Sequence, residues 1–117
     1  MAIDNDRPAI LIALSDKLNN KLPGNLEPML HGIEEEQIPF QMIQVADSSS
    51  AVDRAYQAAV ASRLSVGISF DDQQIVVHYK NLNPNEPLFV VPIDNPTNVR
   101  KIGANAARLV KGVPFKK

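Results

Sequence analysis

The sequence predicts an α/β domain, with helices on both faces of a mostly parallel, mixed five-stranded sheet that has one antiparallel strand. Three observations predict this three-layer α/β/α arrangement. The run "AILIAL" (9–14) is continuously apolar, as a strand buried on both faces must be. Segments of helical and strand-like period then alternate, the order produced by parallel strands joined through crossover helices. Finally, two strand-like segments are separated only by "DDQ" (71–73), too short for a parallel crossover, so the second returns antiparallel.

Each element has a local cause. Pro8 precedes the first strand and the polar "SDKLNN" follows it. In "NLEPMLHGIEEEQ" (25–37), Asn25 reads as the N-cap and Pro28 falls in the first turn, where its missing donor is not needed. Leu26, Met29, Leu30 and Ile33 form the apolar stripe. Pro39 disfavours helical geometry at Ile38, so the helix stops and "FQMIQV" (40–45) begins the second strand. The second helix starts in "SSS" (48–50), with Asp53 three residues after Ser50 as an approximate capping box, and buries Val52, Ala55, Tyr56 and Ala59. "SVGISF" (65–70) and "QIVVHYK" (74–80) form the hairpin, "NLNPNEP" (81–87) is a loop, and "LFVVPI" (88–93) is the fifth strand. The last helix enters through Asn95-Pro96, leaves at Gly112 and buries Val99, Ile102, Ala106, Leu109 and Val110. Arg100, Arg108 and Lys111 face away on the same wheel.

At 117 residues the chain fits a single domain, 1–117, and 44% hydrophobic with 21% charged residues is the balance of a folded globular protein. A net charge of −1 gives the molecule as a whole no attraction for nucleic acid or an anionic membrane. With no cysteine there is no disulfide, thiolate nucleophile or zinc–cysteine site, and the cytoplasm is the simplest compartment. The N-terminal "MAIDNDRPAILIAL" has acids where a signal peptide has basic residues, and no apolar run approaches a membrane span of about 18 residues.

Catalytic and cofactor signatures are missing. The junction "SDKLNNKLPGN" (15–25) has one glycine and matches neither nucleotide-binding pattern. His31 and His78 lack metal-ligand spacing, so His78 reads as a half-buried, hydrogen-bonded strand residue and His31 as an exposed helix residue. Asp71-Asp72 is turn chemistry, and no G-x-S-x-G elbow presents a serine. The chain therefore reads as a non-enzyme.

"HGIEEEQIPF" (31–40) is the feature that calls for an explanation. A helix C-terminus is partially negative, so three glutamates there forgo about 0.3–1 kcal/mol each. On a wheel of about 100° per residue Glu35 lies nearly opposite the apolar stripe, with His31 and Gly32 on its outward side, while Glu34 and Glu36 flank the stripe. The mid-helix Gly32 costs about 1 kcal/mol against alanine, and close approach of another backbone is one reason for it. The cluster is either a solvated acidic helix end or a docking face able to offer an oxygen ligand to a hard cation. The basic last turn, Arg108 and Lys111, continues into Lys116 and Lys117; it either complements the helix dipole or contacts a subunit.

"PAILIALSD", "GIEEEQIPF", "VVHYKNL" and above all "NAARLVKGVPF" (105–115) together resemble, in order and over nearly the whole chain, the small (beta) subunit of the diol/glycerol dehydratase-reactivating factor. The resemblance implies an α/β/α layer domain like the anticodon-binding domains of class II synthetases. It implies a heterotetramer of two large and two small subunits, with ATPase activity, ATP/ADP and Mg2+ on the large, actin- and Hsp70-like subunit and no cofactor on this chain. The implied role is chaperone-like reactivation of an adenosylcobalamin-dependent diol or glycerol dehydratase: by subunit exchange the factor opens the enzyme and damaged cobalamin leaves. The setting is the cytoplasm, with a bacterial microcompartment as a possible association. By position Glu35 would reach the magnesium in the large subunit, with His31, Gly32, Glu34, Glu36, Arg108 and Lys111 at the partner interface. Gln37 stands where the family usually has glycine, so a glycine-type left-handed cap is not expected, and the first loop is longer than the family pattern. Two alternatives remain: a medium-subunit-like component of the dehydratase itself, which calls for an additional N-terminal segment, and a small-anion-binding α/β module, which the missing glycine loop disfavours.

Overall fold

Among the described residues, five strands and three α-helices form in the predicted order. The computed structural model describes residues 8–15, 22–45 and 50–116. The strands are β1 (Ile10–Ser15), β2 (Phe40–Val45), β3 (Val66–Phe70), β4 (Gln74–Tyr79) and β5 (Phe89–Pro92); the helices are α1 (Glu27–Glu35), α2 (Ala51–Ala61) and α3 (Pro96–Lys111). All six residues of β1 are buried, as its unbroken apolar run requires.

The sheet order is β2-β1-β3-β4-β5. β1 pairs in parallel with both β2 and β3, while β4 is antiparallel to β3 and to β5, so β4 alone is reversed. The chain moves one way from β1 to β2 and back past β1 to reach β3. Right-handed crossovers in opposite directions put their helices on opposite faces. Accordingly Met29 and Ile33 of α1 and Val99, Ile102 and Ala106 of α3 pack with Ile10, Ile12 and Leu14, while Ala58 of α2 packs with Leu11 and Ala13 on the other face.

The ends of α2 and α3 form as read. Ser50 Oγ accepts from the Asp53 amide at 3.1 Å, Asn95 Oδ1 accepts from the Asn98 amide at 2.9 Å, and Gly112 leaves α3 with φ 70°. Ser48, Ser49, Lys117 and most of the first loop (16–21) lie outside the described residues. Two terminal assignments are corrected. Asn25 does not cap α1: Gly24–Leu26 form a 3-10 turn, Leu26 is the N-cap residue, and the Leu26 amide is satisfied by the Pro23 carbonyl at 2.9 Å. Gln37 does take the left-handed conformation, φ 63°, and its amide donates to the Glu34 carbonyl at 2.9 Å.

His78 is fully buried rather than half-buried. Its Nδ1 accepts from the Tyr79 amide at 2.9 Å, its Nε2 lies 3.1 Å from the Pro84 carbonyl, and Tyr56 packs edge-on at 5.0 Å. Nδ1 is thus engaged at the end of β4 itself, and Nε2 ties down the loop that follows it. Asp71 Oδ1 accepts from the Gln73 and Gln74 amides, which is turn chemistry.

Candidate functional site

α1 and α3 cross in backbone contact because each has a glycine at the crossing. A β-carbon on Gly32 would stand 2.0 Å from the Arg100 carbonyl oxygen, and one on Gly103 would stand 2.0 Å from the Met29 carbonyl oxygen. Gly32 is buried in this contact. The wheel's outward placement of Gly32 is thereby corrected: a close backbone approach does explain the glycine, but the approaching backbone is the chain's own α3.

That crossing brings the acidic end of α1 against basic residues of α3. Glu35 lies one turn beyond Gly32 and receives two bonds from Arg100, Nε to Oε1 at 2.9 Å and Nη2 to Oε2 at 2.5 Å. Glu36 accepts from Lys111 Nζ at 2.9 Å and from Arg108 Nε at 3.2 Å. Arg100, Arg108 and Lys111 therefore do not face away from the domain; they turn toward α1. Arg108 also donates to the Pro114 carbonyl at 3.0 Å, and the Asn105 side chain bonds the Lys116 backbone at both its N–H and its C=O, so the segment after α3 folds back along the helix.

The three glutamates end in different states. The Glu36 side chain is 10% exposed and held by two cations, whereas Glu35 is 38% exposed and held by one. Glu34 is exposed and makes no side-chain hydrogen bond or ion pair among the described residues. The Arg100 guanidinium bonded to Glu35, with Lys116 and His31 nearby, holds its carboxyl below the ordinary value of 4.5. Lys111 and then Arg108 do the same for Glu36. An open cleft of about 340 Å³ lined by Thr97, Arg100, Lys101 and Lys116 adjoins the Glu35–Arg100 pair.

α1 runs back along the sheet, so its C-terminus sits at the amino edge of the strands, where Ile10 bonds the Pro39 carbonyl. Substrate crevices of open α/β sheets lie at the opposite, carboxyl edge. A solvent-facing patch of His31, Glu34 and Glu35, rimmed by the ion pairs of Glu36 with Arg108 and Lys111, can make polar contacts with another surface. Among the described residues, no group of three or more histidine or acidic side chains converges to hold a metal ion.

Sequence reasoning missed Arg54, which is 6% exposed in α2 and donates to Ser69 Oγ at 3.1 Å and to the Phe70 carbonyl at 2.8 Å. Its only signal was a position beside Ala55 on the packed face of the helix.

Residues 7–116 match the family described as dehydratase medium subunit. The diol dehydratase-reactivating factor small subunit of Klebsiella michiganensis is 45% identical over 114 residues, 97% of this chain and 87% of that protein. A chain in the structure of diol dehydratase-reactivating factor complexed with ADP and Mg2+ superposes with a TM-score of 0.84 at 45% identity, covering 95% of this chain and 99% of that one. A chain of glycerol dehydratase reactivase also reaches 0.84, at 27% identity, over 95% of this chain and 98% of its own length.

Proposed function

The chain belongs to the dehydratase medium subunit family and, within it, to the small subunits of diol dehydratase-reactivating factors; from that membership we propose that it is a non-catalytic docking subunit of such a factor. In this reading a large subunit carries the ATPase, the nucleotide and Mg2+. The assembled factor reactivates a diol or glycerol dehydratase by exchanging subunits with it, so that damaged cobalamin is released.

One observation carries the exchange: the same 110-odd residues match both a dehydratase subunit family and reactivating-factor small subunits. A fold common to the two assemblies can present equivalent surfaces to either, which is what exchange of one subunit for another requires. The α1–α3 patch supports the reading from the chemical side. Glu35 is ionised, oriented and open to solvent, and an anionic oxygen is the donor a hard cation such as Mg2+ takes. The chain's own part is to present that carboxylate at the boundary with the large subunit, with His31 and Glu34 beside it and Glu36, Arg108 and Lys111 as a charged rim.

Glu35→Ala tests it. The pair is exposed to solvent, where ion pairs contribute little to stability, so the variant keeps its circular dichroism spectrum and melts within a few degrees of the parent. Its complex with the large subunit, measured by size-exclusion chromatography in Mg2+, should weaken, and reactivation should slow in parallel. Unchanged assembly and reactivation would remove Glu35 from the interface. The match to dehydratase medium subunits also favours a second reading, a structural part of the dehydratase itself; recovery of the native chain with substrate-turning dehydratase subunits instead of a large ATPase would select it.

A further inference from the structure

Among the glutamates ending α1, Glu35 alone is both held and open. Glu34 is exposed and makes no side-chain hydrogen bond or ion pair among the described residues, and the Glu36 carboxylate is enclosed by Lys111 and Arg108. Arg100 grips Glu35 from one side with a two-point fork, one N–H to each oxygen. A carboxylate has about four lone-pair sites, so this fork leaves about two unshared, one on each oxygen. The grip is built into the helix crossing. The Arg100 carbonyl oxygen sits where a Gly32 β-carbon would be, which fixes the root of the arginine one turn before Glu35. With the Arg100 side chain 51% exposed, the pair holds little of the fold's stability.

We infer that Arg100 is a positioning residue: it sets the Glu35 rotamer so that the unshared lone pairs face the docking subunit, acting as the outer-shell hydrogen-bond partner of an oxygen ligand to a divalent cation. This rests on the reading of Glu35 as a ligand given above and deepens it. Outer-shell partners of ligating carboxylates orient the donor and remain bonded to it during coordination. A guanidinium suits the role better than an ammonium, because its planar fork fixes both oxygens at once. The partner it implies is a protein surface carrying a divalent cation with an open coordination position.

The test is an Mg2+ titration of assembly. The variant small subunit is mixed with the large subunit, and the Mg2+ concentration giving half-maximal complex is read by light scattering, with no dehydratase present. Arg100→Gln should raise that concentration by about 10- to 100-fold, with an unchanged circular dichroism spectrum. Arg100→Lys, which keeps the charge but loses the fork, should fall between parent and Arg100→Gln. The reversal Glu35→Arg with Arg100→Glu restores an ion pair but moves the carboxylate to α3, and should not recover the parental Mg2+ requirement. Recovery by the reversal, or a parental titration for Arg100→Gln, would overturn the positioning role. A lowered requirement in Arg100→Gln would also overturn it, showing that the arginine competes for Glu35. Glu35→Gln separates the two levels: if it leaves the Mg2+ requirement unchanged, the ligand reading falls and this inference with it; if it raises the requirement while Arg100→Gln does not, only this inference falls.

Discussion

Glu34, Glu35 and Glu36 are consecutive, but a helix turns about 100° per residue, so each meets a different neighbour. The unfavourable dipole term at the α1 C-terminus is offset for two of them by cations from α3, a compensation that no reading of α1 alone could supply. Those cations also make the charge pattern pH-dependent. Both carboxyls titrate below 4.5 in the folded chain, so their stabilisation is present above the unfolded value and lost as pH falls through the folded one. The double variant Glu35→Gln, Glu36→Gln should be less stable than the parent at pH 7 in urea, and the difference should shrink as pH falls below the ordinary carboxylate value and vanish once both parental carboxyls are protonated. A deficit unchanged in acid would assign the stabilisation to packing instead of charge. Gln37 shows a residue overruled by its surroundings: a glutamine carries the left-handed angle that glycine adopts more easily, because the turn into β2 needs it there.

At the scale of elements, caps made by a residue and its near neighbours were legible. Ser50, Asn95, Pro96 and Gly112 act where they were placed because their partners lie within a few positions. Asn25 failed because a 3-10 turn satisfied the same amides through the backbone. The α1–α3 crossing was half legible. A mid-helix glycine announced a close backbone contact but not whose backbone it would be. Gly32→Ala measures the crossing. Its β-carbon would meet the Arg100 carbonyl oxygen at 2.0 Å and the Ala104 nitrogen at 2.8 Å, backbone atoms that move only if the helices separate. Overpacking costs about 1–3 kcal/mol, or more where backbone blocks relief, against about 1 kcal/mol of improved helix propensity. The urea midpoint should therefore fall; a rise would mean the helices part freely.

For the whole molecule, crossover handedness and the reversal at β1 put α1 and α3 on one face and α2 on the other. The same topology carries the acidic end of α1 to the amino edge of the sheet, away from the edge where open sheets bind substrates. On the α2 face a charge joins the layers: Arg54 reaches from the helix to Ser69 and the Phe70 carbonyl of β3. The default exposure of arginine hides such a residue in a sequence. Arg54→Met keeps the stem and removes the donors, and should lower the urea midpoint by the equivalent of about 1–3 kcal/mol with the slope unchanged. An unchanged midpoint would make the contact incidental.

By itself the sequence determined the order and type of the five strands and three α-helices among the described residues, the buried central strand, the reversed β4 and the outward position of Glu35, since periodicity and turn length act over a few residues of backbone. Only the tertiary structure decided that Gly32 faces α3, that Arg100 reaches Glu35 and that Arg108 and Lys111 enclose Glu36. Those contacts join residues 65 to 75 positions apart, and they depend on how closely and at what angle two helices pack, which no local pattern encodes.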